Sequence, residues 1–255
     1  MKEETKASNL DDWGIPSRDQ EERVFLEGPK TRTFEIHHAF KVFYEMIQGF
    51  RKFSFLGPCV TVFGSARFAE NHKHYRLAFE MGQELALKGF AVMTGGGPGV
   101  MEAANRGAKI MGGCSVGCNI TLPKEQKPNP YLDEWMEFKY FMVRKFMLAK
   151  YSYGFVALPG GFGTLDELFG VLTLIQTKKI RNFPVVLVGL EFWEPLRNLI
   201  EERLVEAKTI DPDDTKTLYF TDSPHEAAAF IQSVATDKFE VSIRPQKILR
   251  ERKLR

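Results

Sequence analysis

The sequence predicts an α/β protein: a Rossmann-like doubly wound parallel sheet in three layers, α/β/α, with an N-terminal helical extension. Three observations lead there. Short apolar runs alternate with helix-period segments from about residue 59 to residue 234, which is the order of right-handed βαβ units. Glycine-rich turns stand directly after several of those runs. The chain has 255 residues, 44% hydrophobic and 27% charged, an ordinary composition for a soluble globular protein that can bury one sizeable core.

Residues 1–32 are polar, punctuated by Pro16 and Gly28-Pro29 without a sustained period, and predict a loosely ordered arm lying on the body or on a partner subunit. From Thr33 to Leu56 the residues Phe34, Ile36, Phe40, Phe43, Tyr44, Ile47 and Phe50 recur at helical spacing. They predict a leading helix whose aromatic stripe is core or subunit interface. The alternation follows: strand Cys59–Phe63, helix Tyr75–Lys88, strand Phe90–Met93, helix Pro98–Ile110, strand Gly113–Ile120, strand Trp135–Tyr140 and helix Val143–Tyr151. Strand Gly154–Leu158, helix Thr164–Lys178, strand Pro184–Val188, helix Phe192–Glu206, strand Leu218–Phe220 and helix Pro224–Val234 complete it. One domain is expected over 33–236, followed by a basic solvated tail over 237–255. The stretch Asn119–Asp133, with Pro123, Pro128 and Pro130, reads either as a pocket-side lid or as a plain connection.

Composition narrows the function classes. A net charge of +2 does not by itself imply nucleic-acid binding, no apolar run approaches the roughly 18 residues of a membrane span, and the first residues lack the apolar core of a secretory signal. A cytoplasmic enzyme without nucleic-acid or membrane partners is the expectation. Three cysteines, Cys59, Cys114 and Cys118, argue against a disulfide framework. Cys114 and Cys118 read as small hydrophobes in a buried strand. The pairs His37-His38 and His72-x-His74 lack an obvious third ligand, so neither a metal nor a cofactor is expected.

The stretch from Leu158 to Glu167 carries the chemistry. An apolar strand, then Gly160, Gly161 and Gly163, then a helix start is the arrangement that points backbone N–H groups at an anion. Thr164 and Glu167 also fit a capping box, but a cap requires none of these glycines, which are costly in chain entropy unless the backbone needs them. A dinucleotide fingerprint is absent, since Val100 occupies the third glycine position after Gly95 and Gly97, and no Gly-Lys-Ser or Gly-Lys-Thr occurs. A mononucleotide is favoured over a redox cofactor or a nucleoside triphosphate. Gly64-Ser65, Gly95–Gly99, Arg144 and Gly160–Glu167 each follow a proposed strand, so in an open parallel sheet all four reach one edge.

The pattern Pro159-Gly160-Gly161-Phe162-Gly163-Thr164-Leu165-Asp166-Glu167 resembles the signature of the LOG ("Lonely Guy") family of cytokinin riboside 5′-monophosphate phosphoribohydrolases, whose members were often labelled lysine decarboxylase-like. Arg144-Lys145, the turn Gly95–Glu102 and Phe63-Gly64-Ser65-Ala66-Arg67 match further family elements in the same order, and the extended ends suggest a bacterial long form. The resemblance implies hydrolysis of the N-glycosidic bond of a nucleoside 5′-monophosphate, AMP or an N6-modified AMP, by a homodimer or higher homo-oligomer, with Arg144 and Glu167 as the catalytic pair. It further implies substrate binding by Gly64, Ser65, Gly96, Gly97, Gly99, Glu102, Met142, Lys145, Gly160, Gly161, Gly163 and Thr164. Glu102 reads equally well as a helix-start carboxylate. Plant-type members carry Met-His where this chain has Phe141-Met142, so base specificity does not transfer. Pyridoxal chemistry has no recognisable lysine setting here. A nucleotide-binding sensor or carrier on the same fold is the alternative to an enzyme.

Overall fold

The computed structural model of the chain describes residues 20–121, 127–181 and 183–239. Among them seven strands, β1 (Cys59–Phe63), β2 (Ala91–Thr94), β3 (Ser115–Ile120), β4 (Glu134–Phe138), β5 (Ser152–Ala157), β6 (Val185–Val188) and β7 (Leu218–Thr221), form one sheet in the order β4-β3-β2-β1-β5-β6-β7. Every pairing is parallel. Every residue of β1, β2, β3 and β6 is buried. Burial on both faces is why these strands read as unbroken apolar runs. Edge strand β4 instead alternates, with Trp135 and Glu137 exposed.

Two cores flank the sheet. On one face α2 (Arg32–Phe53), α5 (Phe141–Lys150), α6 (Phe162–Gln176) and α7 (Leu190–Asn198) bury Phe53, Met147, Leu168 and Trp193 against Phe63, Phe138 and Phe155. On the other, α3 (Lys73–Leu87), α4 (Val100–Ile110) and α8 (Pro224–Phe239) cover Val60, Val62, Val92, Val156 and Val186 with Met81, Leu85, Ala104 and Ile231. The period-two alternation of a strand sends Val60 and Val62 to one core and Cys59 and Phe63 to the other. Helices α3 and α4 cross at bare glycines: a Cβ at Gly82 would stand 2.1 Å from the Ala104 carbonyl oxygen, and one at Gly107 2.0 Å from that of Phe79.

Three local outcomes differ from the sequence expectation. Residues Gln20–Leu26, placed within the arm, form a helix, α1. It is anchored: Phe25 stacks on His38 at 5.5 Å between ring centroids, and the Phe141 N–H donates to Glu22 Oε1 at 2.8 Å. The expected helix Phe192–Glu206 is α7 followed by a π-helical turn, Leu199–Leu204; Pro195 within α7 supplies no N–H. Helix α6 starts at Phe162 with Gly161 as its N-cap, two positions earlier than expected, so Thr164 lies inside the first turn and cannot be a capping-box N-cap. The first 19 residues of the arm, and the tail from 240 on, lie outside the described residues.

The chain runs outward from β1 through β2 and β3 to β4, then returns to β5 on the other side of β1. That reversal opens a crevice at the carboxyl ends of β1 and β5, where open α/β sheets take their ligands. Among the described residues no helix is long and apolar enough to cross a membrane.

Candidate functional site

The crevice is a cleft of about 650 Å³ walled by the turn after β1 (Phe63 to Arg67), Gly95, Met101, the end of β3 (Asn119, Ile120), Phe141 and Arg144 of α5, and the start of α6 from Gly161 to Glu167. Three turns, those after β1, β5 and β2, are tied together to make one wall. The Ser65 N–H donates to the Pro159 carbonyl at 3.0 Å, and the Val100 N–H to the Ser65 carbonyl at 3.0 Å. Gly160 leaves room beside that first contact, since a Cβ there would stand 3.1 Å from the Ser65 nitrogen, and also 2.1 Å from Thr164 Oγ1. No side chain caps α6, and helix geometry leaves the amides of Phe162, Gly163 and Thr164 without intrahelical acceptors. Those donors and the positive end of the helix dipole make this wall attractive to an anion.

Opposite stands Arg144, and a missing rung of the sheet positions it. The Val92 N–H bonds the Cys114 carbonyl at 2.9 Å; by the two-residue repeat of a parallel ladder the next rungs run from Thr94 to Val116 and from Gly96 to Cys118. Strand β2 ends at Thr94, paired with Gly117. The last rung is therefore replaced on both sides: the Gly96 N–H donates to Thr94 Oγ1 at 2.9 Å, and Arg144 Nε donates to the Cys118 carbonyl at 3.1 Å. Gly95 leaves room for the guanidinium, because a Cβ there would stand 3.0 Å from Arg144 Nη2.

Glu167 is 6% exposed and faces the same cleft from the second turn of α6. Burial pushes its carboxyl above the ordinary glutamate range, against the pull of Arg144 and Lys145, while the Asp166 charge adds to the push. Desolvation is the largest of these influences.

Of the sequence-derived candidates, the cleft gathers Gly64, Ser65, Arg144, Gly161, Gly163, Thr164 and Glu167. Others stand off its wall for visible reasons. Lys145 turns away to Asp166, with Nζ 2.8 Å from Oδ1 and 2.9 Å from the backbone carbonyl. Met142 is exposed on the far side of α5. Glu102 accepts from the Tyr75 hydroxyl at 3.2 Å; burial first, with Glu102 adding, pushes that phenol up to about 12. Gly96, Gly97 and Gly99 serve protein packing. Gly99 has φ +70°, and a Cβ there would stand 2.5 Å from the Ser65 carbonyl oxygen. Asn129 Nδ2 donates to the Gly97 carbonyl at 3.2 Å and to Asn105 Oδ1 at 3.0 Å, while Thr94 Oγ1 donates to the same oxygen at 2.6 Å. This buried network pins the turn and the described end of the Asn119–Asp133 stretch; residues 122–126 lie outside the described residues.

Phe141, which stands where plant-type members differ, lines the cleft, and so do Arg67 and Asn119, which were not singled out as site residues. For Asn119 a signal existed: a primary amide near the end of the run Ser115-Val116-Gly117-Cys118-Asn119-Ile120 is a polar group in a buried strand, which needs partners. Cys118 lies on that strand, whereas Cys114, expected there too, stands just before it and is only partly buried. Burial raises both thiols, Cys114 to about 11 and Cys118 higher, and among the described residues no group of three or more His, Cys, Asp or Glu side chains is arranged to hold a metal.

Fold and cleft together define a parallel α/β protein of the Rossmann-like class, with a bare helix N-terminus and a facing Arg–Glu pair at its topological switch point. A family model described as "Possible lysine decarboxylase" matches residues 101–231, just over half of the chain. The chain belongs to that family, the LOG family. It is 33% identical over 154 residues to a cytokinin riboside 5′-monophosphate phosphoribohydrolase of Rhodococcoides fascians, covering 58% of this chain and 76% of that one. It is 31% identical over 162 residues to the rice enzyme of the same description, covering 62% of this chain and 65% of the rice protein. Among solved structures it is similar to the molybdenum cofactor binding protein of Rippkaea orientalis, at 26% identity and a TM-score of 0.52, over 69% of this chain and 96% of that one.

Proposed function

We propose that the chain is a phosphoribohydrolase: water and a nucleoside 5′-monophosphate, AMP or an N6-modified AMP, give free base and ribose 5-phosphate. The observation that carries this reading is a buried carboxylate, Glu167, sharing one cleft with Arg144 and an uncapped helix start. The 5′-phosphate lies against the amides of Phe162, Gly163 and Thr164 with the Thr164 hydroxyl. The C1′–N bond breaks and its electron pair leaves with the base, while positive charge builds on the ribose as in other glycosidic cleavages. Ionised Glu167 stabilises that charge and accepts a proton from the water that bonds to C1′; the departing nitrogen takes its proton from solvent. A carboxylate held above its ordinary range is the stronger proton acceptor. An arginine does not serve as a general acid near neutrality, so the role of Arg144 is electrostatic. The relatives described as phosphoribohydrolases support this reading.

Incubation of the purified protein with AMP, GMP, CMP, UMP and isopentenyl-AMP, followed by chromatography, tests it. Free base and ribose 5-phosphate in equal amounts are expected, with purines ahead. Bound nucleotide without release would instead support a carrier or sensor, the reading favoured by the likeness to a cofactor-binding protein.

We also propose a homo-oligomer assembled through α2 and α5. Phe40 is 69% and Phe43 61% exposed on α2, with Tyr44 beside them, and Met142 and Phe146 are exposed on α5; the two helices meet through Phe50 and Phe146, 6.1 Å between ring centroids. Apolar surface of this kind on a polar chain marks an interaction face. Light scattering is expected to give at least twice the chain mass for the wild type and a single-chain mass for Phe43→Asp; a wild type already at single-chain mass overturns the assembly.

A further inference from the structure

Asn119 is 1% exposed and lines the cleft, yet its Nδ2 has no hydrogen-bond partner among the described residues. Its orientation is not arbitrary. The Ile120 N–H lies 2.9 Å from Oδ1, and a backbone N–H is only a donor, so the amide oxygen must face it and the amino group must point elsewhere. A buried donor without an acceptor is destabilising relative to one that is bonded, and a built site with a spare donor on its wall is complementary to a ligand acceptor. The sheet explains how Asn119 comes to line the cleft. Asn119 lies two residues beyond Gly117, the last residue of β3 paired with β2, so its strand projects past its neighbour into the cleft. On its other side it remains paired, with Glu137 of β4.

Position within the cleft tells which part of the substrate this donor meets. The helix start follows β5, whereas Asn119 is the penultimate residue of β3, three strand positions away in the order β3-β2-β1-β5, or roughly 14 Å at the usual strand spacing. A nucleotide with its phosphate on α6 reaches β3 only with its base. Arg144 stands beside the same strand end through its bond to the Cys118 carbonyl.

We propose that Asn119 Nδ2 donates to an acceptor of the nucleobase, a ring nitrogen or carbonyl oxygen conjugated with the departing nitrogen. This rests on the phosphoribohydrolase reading. An amino group cannot pair with another amino group, so the donor selects bases that present an acceptor at this edge. As the C1′–N electron pair moves onto the base, the acceptor gains negative charge and the hydrogen bond strengthens, without transfer of the Asn119 proton. Asn119 thus belongs to specificity and to leaving-group stabilisation at once.

Asn119→Asp keeps an oxygen for the Ile120 N–H and exchanges the spare donor for an acceptor; Asn119→Ala removes it. Two measurements are paired. Titration calorimetry compares AMP with ribose 5-phosphate, and kinetics compare AMP with p-nitrophenyl ribose 5-phosphate, whose leaving group has no ring acceptor. Both variants are expected to lose on the order of tenfold to a hundredfold in AMP kcat/KM, with weaker AMP binding. Ribose 5-phosphate affinity and p-nitrophenol release are expected to stay within about threefold of the wild type, the margin of a contact that is absent. Parallel losses on both members of each pair indicate a structural role and overturn the proposal, as does unchanged AMP binding. A wild type that binds AMP but releases no base sinks the hydrolase reading alone, and calorimetry still decides whether Asn119 holds the base.

Discussion

Glu167→Gln is expected to abolish most base release, by about 10³-fold, while leaving the fold at least as stable as the wild type. The rate loss follows from removing the one buried carboxylate in the cleft, since positioned general bases contribute on the order of 10²–10⁴-fold. The stability outcome follows from the direction of its pKa shift. Burial raises the folded-state value above the ordinary one, so folding favours the protonated acid. Its stabilising contribution is full below the unfolded pKa, about 4.3, and is lost as pH rises through the folded value. Glutamine mimics the protonated acid at every pH. The melting temperature of Glu167→Gln relative to the wild type is therefore expected to rise between pH 4 and pH 7.5, and the wild-type kcat is expected to fall on the acid side as Glu167 protonates. A variant with substantial turnover, or one less stable at pH 7.5 than at pH 4 by the same comparison, would contradict the assignment.

Arg144→Ala is expected to cost about 10²–10³-fold in kcat, the usual effect of deleting one fixed electrostatic group from a site. It is also expected to lower stability by about 1–3 kcal/mol, because the Cys118 carbonyl loses the Arg144 donor at the sheet edge. Arg144→Lys separates the two effects. Lysine restores the charge but not the planar fork that lets Nε bond the carbonyl while the remaining nitrogens face the cleft, so partial recovery of kcat without full recovery of melting temperature is expected. Equal kinetics for Ala, Lys and wild type would remove Arg144 from the mechanism.

Much of the fold was legible because burial on both faces of the sheet writes itself as apolar runs such as Val60–Phe63 and Val185–Val188. Arg144 and Glu167 were legible as motif residues, and the placement of Gly161, Gly163 and Thr164 at the cleft followed from the order of strand, turn and helix. The β2–α4 glycines carry an ambiguity that recurs. A glycine required because backbone meets protein looks the same in sequence as one required because backbone meets ligand, and Gly99 against the Ser65 carbonyl is the first kind. The Lys145 pairing was not legible, because its partner, Asp166, stands 21 positions away and becomes its neighbour only when α5 and α6 pack. Asn119 was passed over because its opening to the cleft depends on where β2 stops, a property of a different segment.

The early end of β2 also sets a limit on how far this protein can be stabilised. The Gly96 amide and the Cys118 carbonyl are natural partners for one another, and each is held instead by a side chain, Thr94 and Arg144. Substitutions that favour extended backbone at positions 95 and 96 would let the ladder zip one step further and release the arginine. Such locally frustrated sites exchange robustness for activity. A selection for thermal resistance alone is therefore expected to find changes here that close the notch, and a selection that also demands turnover to avoid them.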